Sequence, residues 1–536
     1  MICVLSDLHF QDIHLEPEGV RVDPNVPAES LDRFFRGMAR RVEDDIRAGR
    51  KVKELTFVLA GDIFELNRTE RWFSGDIDKG NPDSLRPYTA AAPFNLRAPG
   101  ERALDAVIAR ILGGIINKNG APLPQKPASA AGPSSGPAGH GAGTLVAGAK
   151  AEERELERSV MLQGTLTPAM ESIRDAWRTP ERYGFPVPVK FVYLPGNHDR
   201  LVNLSPTAAR AIRELLGMGT NGAVATWRFP HRLVDPKHGV AIRHGHEYDG
   251  TNCEFFLARP RSVLTEDLYD RATIGDLITL DIAGRLPHLF RKQYRNATDP
   301  GHEDGRLYKR IRELDDLRPI GAIVDWLLYS VEEGAPSALT DGGKKMWKDK
   351  LTPILTGVVL ELATNKFLQE WLSRHDKKGA DRIDMIQAAL SRPSFRALGR
   401  MTIGSAGVIR MLLKSATADR DAGRLGPTAL PDFEKMLKHE LSLGNEVDPR
   451  DEKFLSFLVS GHTHNPGIEP LKSYTKDGRE MFSIDTGTWR RLIRRCRDGK
   501  TFAATRMATY AIFYADDEGP GHRFQVWTGV TAGGDT

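Results

Sequence analysis

The stretch Leu55-Thr-Phe-Val-Leu-Ala60-Gly61-Asp62 decides how the chain is read: an apolar run of strand length that stops on a glycine and a carboxylate. The same form recurs. Ile2–Leu5 runs into Asp7-Leu8-His9, and Lys190–Leu194 into Gly196-Asn197-His198-Asp199. Val240–Ile242 runs into His244-Gly245-His246, and Phe454–Val459 into Gly461-His462-Thr463-His464. Met481–Ile484, Ala508–Tyr514 and Arg523–Val530 are further strand candidates. Helical spacing lies between them. Leu31, Phe34, Phe35, Met38 and Val42 share a face after Pro27, with Ser30 as a candidate cap. Leu104, Val107, Ile108, Ile111 and Leu112 repeat that spacing. Strands alternating with helices predict an α/β core.

Ligands of open α/β sheets gather at the carboxyl ends of strands, so five such motifs in one chain predict one shared site. In an extended chain residues i and i+2 point to the same side. That aims Asp7 with His9, His244 with His246, and His462 with His464. Gly61 permits a tight turn, and Asp62 can offer one oxygen to each of two metal ions. Asn197 can donate its amide oxygen, while His198 can sit close without ligating and move protons. Six of the 15 histidines fall inside these motifs. A histidine met singly is ordinarily a core or surface residue; the convergence is what predicts a metal site. Nitrogen and oxygen ligands without thiolate suit Mn, Fe, Zn or Ni, with Mn the first expectation.

The ordered set Asp-Leu-His, Gly-Asp-Ile-Phe-Glu-Leu, Gly-Asn-His-Asp, His-Gly-His and Gly-His-Thr-His resembles the calcineurin-like metallophosphoesterase superfamily, over residues 1 to about 250 and about 451 to 490. The resemblance implies a four-layer α-β-β-α sandwich. It assigns one metal to Asp7, His9, Asp62 and His464 and a second to Asp62, Asn197, His246 and His462, with Asp62 bridging. It implies that His198 contacts the scissile phosphate and protonates the leaving group, with metal-bound hydroxide as nucleophile. Phosphoprotein phosphatases continue Gly-Asp with x-x-Asp-Arg-Gly and place Glu after Asn-His; here Ile63-Phe64-Glu65 and Asp199 stand instead, which argues against that branch. Gly-Asp-Ile-Phe-Glu is similar to the bacterial enzymes that split UDP-diacylglucosamine, although those commonly carry Asn-Arg where this chain has Asn197-His198. The segment Asp485-Thr486-Gly487-Thr488-Trp489 resembles a post-histidine segment of bacterial relatives and reads as a turn buttressing the site.

Arg490, Arg491, Arg494, Arg495 and Arg497 follow at once. On a helix the first four would share a face, either for an anionic substrate or as a salt-bridged surface. Arg200, Arg243, His244 and Arg490 are the candidate substrate contacts.

The 536 residues allow several domains or one with large insertions. The core is expected in 1–250 and 451–536. Residues 119–150, rich in Ala, Gly, Pro and Ser, read as a flexible linker. Residues 251–450 read as a helical insertion, a candidate cap, with Ile323, Trp326, Leu327 and Val331 and then Leu355, Val358, Val359, Leu362 and Phe367 at helical spacing. The apolar stretch 351–372 is broken by Glu361, Lys366 and Glu370, so no membrane span is expected. Sparse cysteines (Cys3, Cys253, Cys496) and the lack of a signal-peptide pattern predict a cytoplasmic protein. The net charge of +4 says little about partners. The expected function is hydrolysis of a phosphomonoester or phosphodiester in a small-molecule or nucleotide substrate. A nuclease acting on nucleic acid is the alternative, and an inactive scaffold a further one.

Overall fold

The structure is a computed structural model that describes residues 1–12, 24–73, 101–120, 123, 166–219, 227–249, 252–253, 269–318, 322–332, 349–358, 362, 365–375, 455–471, 481–499, 501–519 and 521–530. Most of the 119–150 segment, and residues 376–450 of the expected insertion, lie outside them.

The fold is mixed α/β, with two sheets among the described residues. Three parallel strands open the larger one: β1 (Ile2–Leu5), β2 (Leu55–Ala60) and β3 (Val189–Leu194). The chain crosses to a second sheet for β4 (Arg232–Asp235) and β5 (Val240–Arg243). It touches the first again with the two-residue β6 (Leu317–Arg318). The second sheet is completed by β7 (Phe457–Ser460), β8 (Gly467–Leu471) and β9 (Met481–Asp485). The first is completed by β10 (Arg491–Arg495), β11 (Phe502–Phe513) and β12 (Phe524–Val530). The orders are β3-β2-β1-β11-β10-β6, with β12 on β11, and β4-β5-β7-β9-β8.

Alternation along the strands explains the layers. Ile2, Val4, Val58, Ala60 and Leu194 pack against Val240, Ile242, Phe457, Val459 and Ile484, so the two sheets meet face to face. The intervening Cys3, Leu5, Phe57, Leu59 and Phe191 point the other way, into a larger core beneath the helices. Helix Ala28–Arg47 buries Leu31, Phe35, Met38 and Val42 there. It begins at Ala28, not at Ser30: Pro27 precedes the first turn, and the buried Ser30 donates its backbone N–H to the Pro27 carbonyl (3.0 Å). On the outer face of the second sheet Ala241, Leu455, Leu458 and Met481 form a small apolar cluster.

The described part of 251–450 is not a separate body. Leu277, Phe290, Tyr308, Ile323 and Leu372 belong to the same core as the helices over the first sheet. Tyr308 donates its hydroxyl to Glu70 (2.6 Å), and Arg291 pairs with the same carboxylate at 2.8 Å. The segment also contributes a strand, since β6 pairs in parallel with β10. Ile323, Trp326 and Leu327 lie on one helix, Ile323–Glu332, as expected; of the other expected set, Leu355 and Val358 lie in helical residues 349–358, and only Phe367 lies on the second helix, Lys366–His375. Asn365 caps the second, its Oδ1 accepting the Leu368 N–H at 3.0 Å; Val359 lies outside the described residues.

The basic run after Trp489 is a strand, not a helix. Arg491 pairs opposite Arg506, and Arg495 opposite Phe502, which also extends β11 well before the expected Ala508. Ladder pairing overrides the helical reading of the charges. Among the described residues no helix is long and apolar enough to cross a membrane.

Candidate metal centre

Past their last strand residues, the loops after β1 and β2 continue the ladder. Asp7 N–H donates to the Gly61 carbonyl (3.0 Å), His9 N–H to that of Asp62 (2.9 Å), and Phe10 N–H to that of Ile63 (2.8 Å). This long-range pairing holds an unusual backbone. Among the described residues, the non-glycine positions with positive φ are Asp7 (54°), His9 (46°), Asp62 (53°), His462 (71°) and His464 (59°). Each costs roughly 1 kcal/mol or more relative to an ordinary conformation. All five belong to the strand-end motifs. Asp7 and His9 therefore reach the site from left-handed backbone rather than from the extended chain that i, i+2 spacing assumed. Gly61, at φ 86°, is needed in its own right: a Cβ there would lie 2.5 Å from the His244 ring.

The side chains form two groups sharing Asp62, each with donor atoms within 4.8 Å of one another: Asp7, His9, Asp62 and His464; and Asp62, His244 and His462. In the first, Asp7 Oδ1 lies 3.1 Å from His464 Nε2 and 3.7 Å from His9 Nε2, and the two imidazole nitrogens are 3.2 Å apart. In the second, His244 Nε2 lies 3.2 Å from both Asp62 Oδ2 and Asn197 Oδ1. Asp62 Oδ1 accepts the His198 N–H (2.8 Å), and Asp62 Oδ2 lies 3.7 Å from His9 Nε2.

Anchors on the far side of three rings fix which nitrogen faces inward. His9 Nδ1–H donates to Glu65 Oε2 (3.1 Å), His244 Nδ1–H to the Ala60 carbonyl (3.0 Å), and His462 Nε2–H to Asp249 Oδ2 (2.9 Å). The remaining nitrogens of His9 and His244 turn toward buried carboxylates. That donor set, nitrogen and oxygen without sulfur, fits two divalent cations of the Mn, Fe, Zn or Ni kind. Burial favours the neutral forms of Asp7 and Asp62, but the imidazoles around them prevail and hold both carboxyls below the usual range. Burial pushes His9 and His464 down, toward the neutral rings a metal requires. His244 goes the other way. Burial opposes its charge, yet Asp62 and Asp7 raise it to about 10, so in the metal-free protein this imidazolium supplies the positive charge between the carboxylates.

Loading with Mn at pH 8 is accordingly expected to expel about one proton from His244, and affinity should fall as pH drops. Calorimetry in two buffers of different ionisation enthalpy measures the release; identical heats in both would contradict it.

The structure corrects the expected use of the His-Gly-His motif. His244, expected as a substrate contact, faces Asp62 and Asn197, whereas His246, expected as a ligand, does not join the group. Gly245 (φ 108°) turns the chain, and His246 begins a 3-10 turn, its ring 5.9 Å from that of Tyr269 and its Nδ1 3.4 Å from Glu247 Oε2. His244→Ala should weaken one of the two ions by more than the roughly 10–100-fold that a lost outer partner costs. His246→Ala should keep both. Metal analysis after dialysis distinguishes the two histidines, and the opposite pattern would restore His246 as the ligand.

His198 stands beside the pair. Its Nδ1–H donates to Glu65 Oε1 (2.8 Å), and its Nε2 lies 3.9 Å from Asp62 Oδ2. Glu65 thus holds His9 through one oxygen and His198 through the other, a role not read from its motif; the available signal was a carboxylate three residues after Asp62. Asp199 was also missed: its carboxylate accepts N–H bonds from Gly196 (2.6 Å), Ile63 (2.7 Å) and Phe64 (3.2 Å), tying the second motif to the third.

The Asp485–Trp489 segment buttresses the site. Thr488 Oγ1 donates to the Asp7 carbonyl (2.7 Å), and Asp485 accepts from Thr463 Oγ1 (2.7 Å), between His462 and His464. Arg200 and Arg243 are not poised as phosphate contacts. Both are buried; Arg200 pairs with Asp276, and Arg243 donates to the Tyr269 hydroxyl (3.0 Å) beside Glu247 (3.5 Å). Carboxylates close at hand already take up their charge. Arg490 is buried between Asp316 (2.9 Å) and Glu65 (3.9 Å).

Compared with known proteins, the chain matches no family model, no curated protein and no solved structure.

Proposed function

We propose that this chain is a calcineurin-like, metal-dependent hydrolase of phosphoric esters, acting on a phosphomonoester or phosphodiester of a small or nucleotide substrate. One observation carries the reading: left-handed, non-glycine backbone at five motif residues, whose side chains converge in two groups sharing Asp62. Strain of that kind is retained where a site requires it. Two divalent ions bound there would supply an activated water and neutralise charge on the phosphoryl group.

The chain's own groups would do the rest. Glu65 holds His198 Nδ1, which leaves Nε2 to exchange a proton with the leaving oxygen. Glu65, Ala60 and Asp249 orient the ligand imidazoles. Asn197 keeps its Oδ1 toward His244 while its Nδ2 donates to Asn252 (3.3 Å). A small substrate is favoured over nucleic acid because Arg491 and Arg495 are paired with Glu313 and Asp325, both at 3.0 Å, instead of forming an open stripe. The free cysteines suit the cytoplasmic setting.

The test is the full chain loaded in turn with Mn, Fe, Zn and Ni. It is assayed on phosphomonoesters, diesters, nucleotide pyrophosphates and single- and double-stranded DNA. Turnover of an ester with Mn, lost on chelation, is expected. No turnover with any metal would overturn the reading, and cleavage confined to DNA would move it to a nuclease.

A further inference from the structure

A relay of hydrogen bonds joins the Asp62/His244/His462 group to the loop that follows the His-Gly-His motif. His244 Nε2 lies 3.2 Å from Asn197 Oδ1. Asn197 Nδ2 donates to Asn252 Oδ1 (3.3 Å), and Asn252 Nδ2 donates to Asp249 Oδ2 (2.8 Å). The same aspartate oxygen accepts His462 Nε2–H (2.9 Å). The loop is itself pinned. Asp249 N–H donates to the His246 carbonyl (3.0 Å), and the N–H groups of Asn252 and Cys253 both reach the Asp249 carbonyl (2.8 Å each). Asn197 and Asp249 are buried, and the half-buried Asn252 links them.

The direction of the relay follows from its aspartate end. A carboxylate only accepts, whereas an amide has a donor side and an acceptor side. Asp249 therefore draws the NH2 of Asn252 toward itself, which turns Asn252 Oδ1 to Asn197. That oxygen draws the NH2 of Asn197, which leaves Asn197 Oδ1 facing His244. Reversed, Asn197 would present an NH2 group, whose donors repel a cation and cannot coordinate it. Asp249 also fixes His462 as the Nε2–H tautomer, with Nδ1 as the nitrogen able to bind a metal. One carboxylate thus sets the inward atom of two candidate ligands, of His462 directly and of Asn197 through Asn252. We propose that Asn252 is a positioning residue for the second ion, holding the Asn197 amide with its oxygen inward. The role rests on the two-ion reading of the site and not on hydrolysis.

The test is titration of the metal-stripped full chain with Mn, followed by calorimetry and by electron paramagnetic resonance, which separates a coupled pair of Mn ions from isolated ones. The unaltered chain is expected to hold a coupled pair. Asn252→Leu keeps the approximate size of the side chain but can neither accept from Asn197 nor donate to Asp249. It should weaken one ion about 10–100-fold, as a lost outer partner does, and leave the other in place, so that isolated Mn replaces the coupled signal. Asn252→Ala removes the same two bonds without the apolar bulk and should do likewise; thermal melts establish that each variant is folded. Asn197→Asp provides the check on mechanism, since a carboxylate has no donor side to misplace. In that background Asn252→Leu should change the affinity of the second ion by less than about twofold, the non-additivity expected of residues acting through one contact. A coupled pair held equally by both Asn252 variants overturns the positioning role and leaves the metal centre standing. An equal weakening of both ions overturns it too, as does an undiminished effect of Asn252→Leu in the Asn197→Asp background, because either marks a general loosening of the loop. Fewer than two Mn ions on the unaltered chain would sink the two-ion reading, and the role with it.

Discussion

Replacing His198 by alanine is expected to lower ester turnover by about 10²–10⁴-fold, the usual contribution of a positioned proton donor. Both metals should stay bound. His198 Nε2 lies 3.9 Å from Asp62 Oδ2, and Glu65, the residue it leaves behind, remains tied to His9 and close to Arg68 and Arg490. Steady-state kinetics with metal analysis separates loss of chemistry from loss of the centre. An unchanged rate would remove His198 from the mechanism.

Asp62→Asn should act on the centre itself. Oδ2 faces both ligand groups, and its charge holds His244 protonated without metal. The amide keeps an oxygen to accept the His198 N–H, so the loop can persist, but the shared negative charge is gone. Metal content should fall below two ions per chain. Turnover should drop by about 10³-fold or more, since two ions held there would stabilise the transition state by several kcal/mol. The metal-free variant should also show the His244 pKa falling from about 10, read by its ring proton shifts in NMR. Two ions retained with full turnover would contradict the bridging role.

The strand-end motifs were legible because each apolar run ends beside the residues that matter. β1 and β2 match their expected limits, and β3, β5 and β9 lie within one residue of theirs. Less was legible where long-range pairing decides. Arg491–Arg495 spaced like a helix face became a strand because β11 and β6 supply ladder partners. A two-residue strand such as Leu317–Arg318 has no local pattern to read. Arg200 and Arg243 looked available beside their motifs, but Asp276, Tyr269 and Glu247 reach them from positions that adjacency in the chain does not reveal for the first two.

By itself, then, the sequence determined the kinds of side chain at the site, their order, and their place at the ends of strands. These follow from local chemistry: apolar runs form strands, and carboxylates, imidazoles and an amide follow them. The tertiary structure alone decided which atoms face one another. A side chain's direction just past a strand depends on φ, and here φ is held in the left-handed region by pairing such as Asp7 with Gly61, residues far apart in the chain. For that reason His244 rather than His246 meets Asp62, and Glu65 grips both His9 and His198.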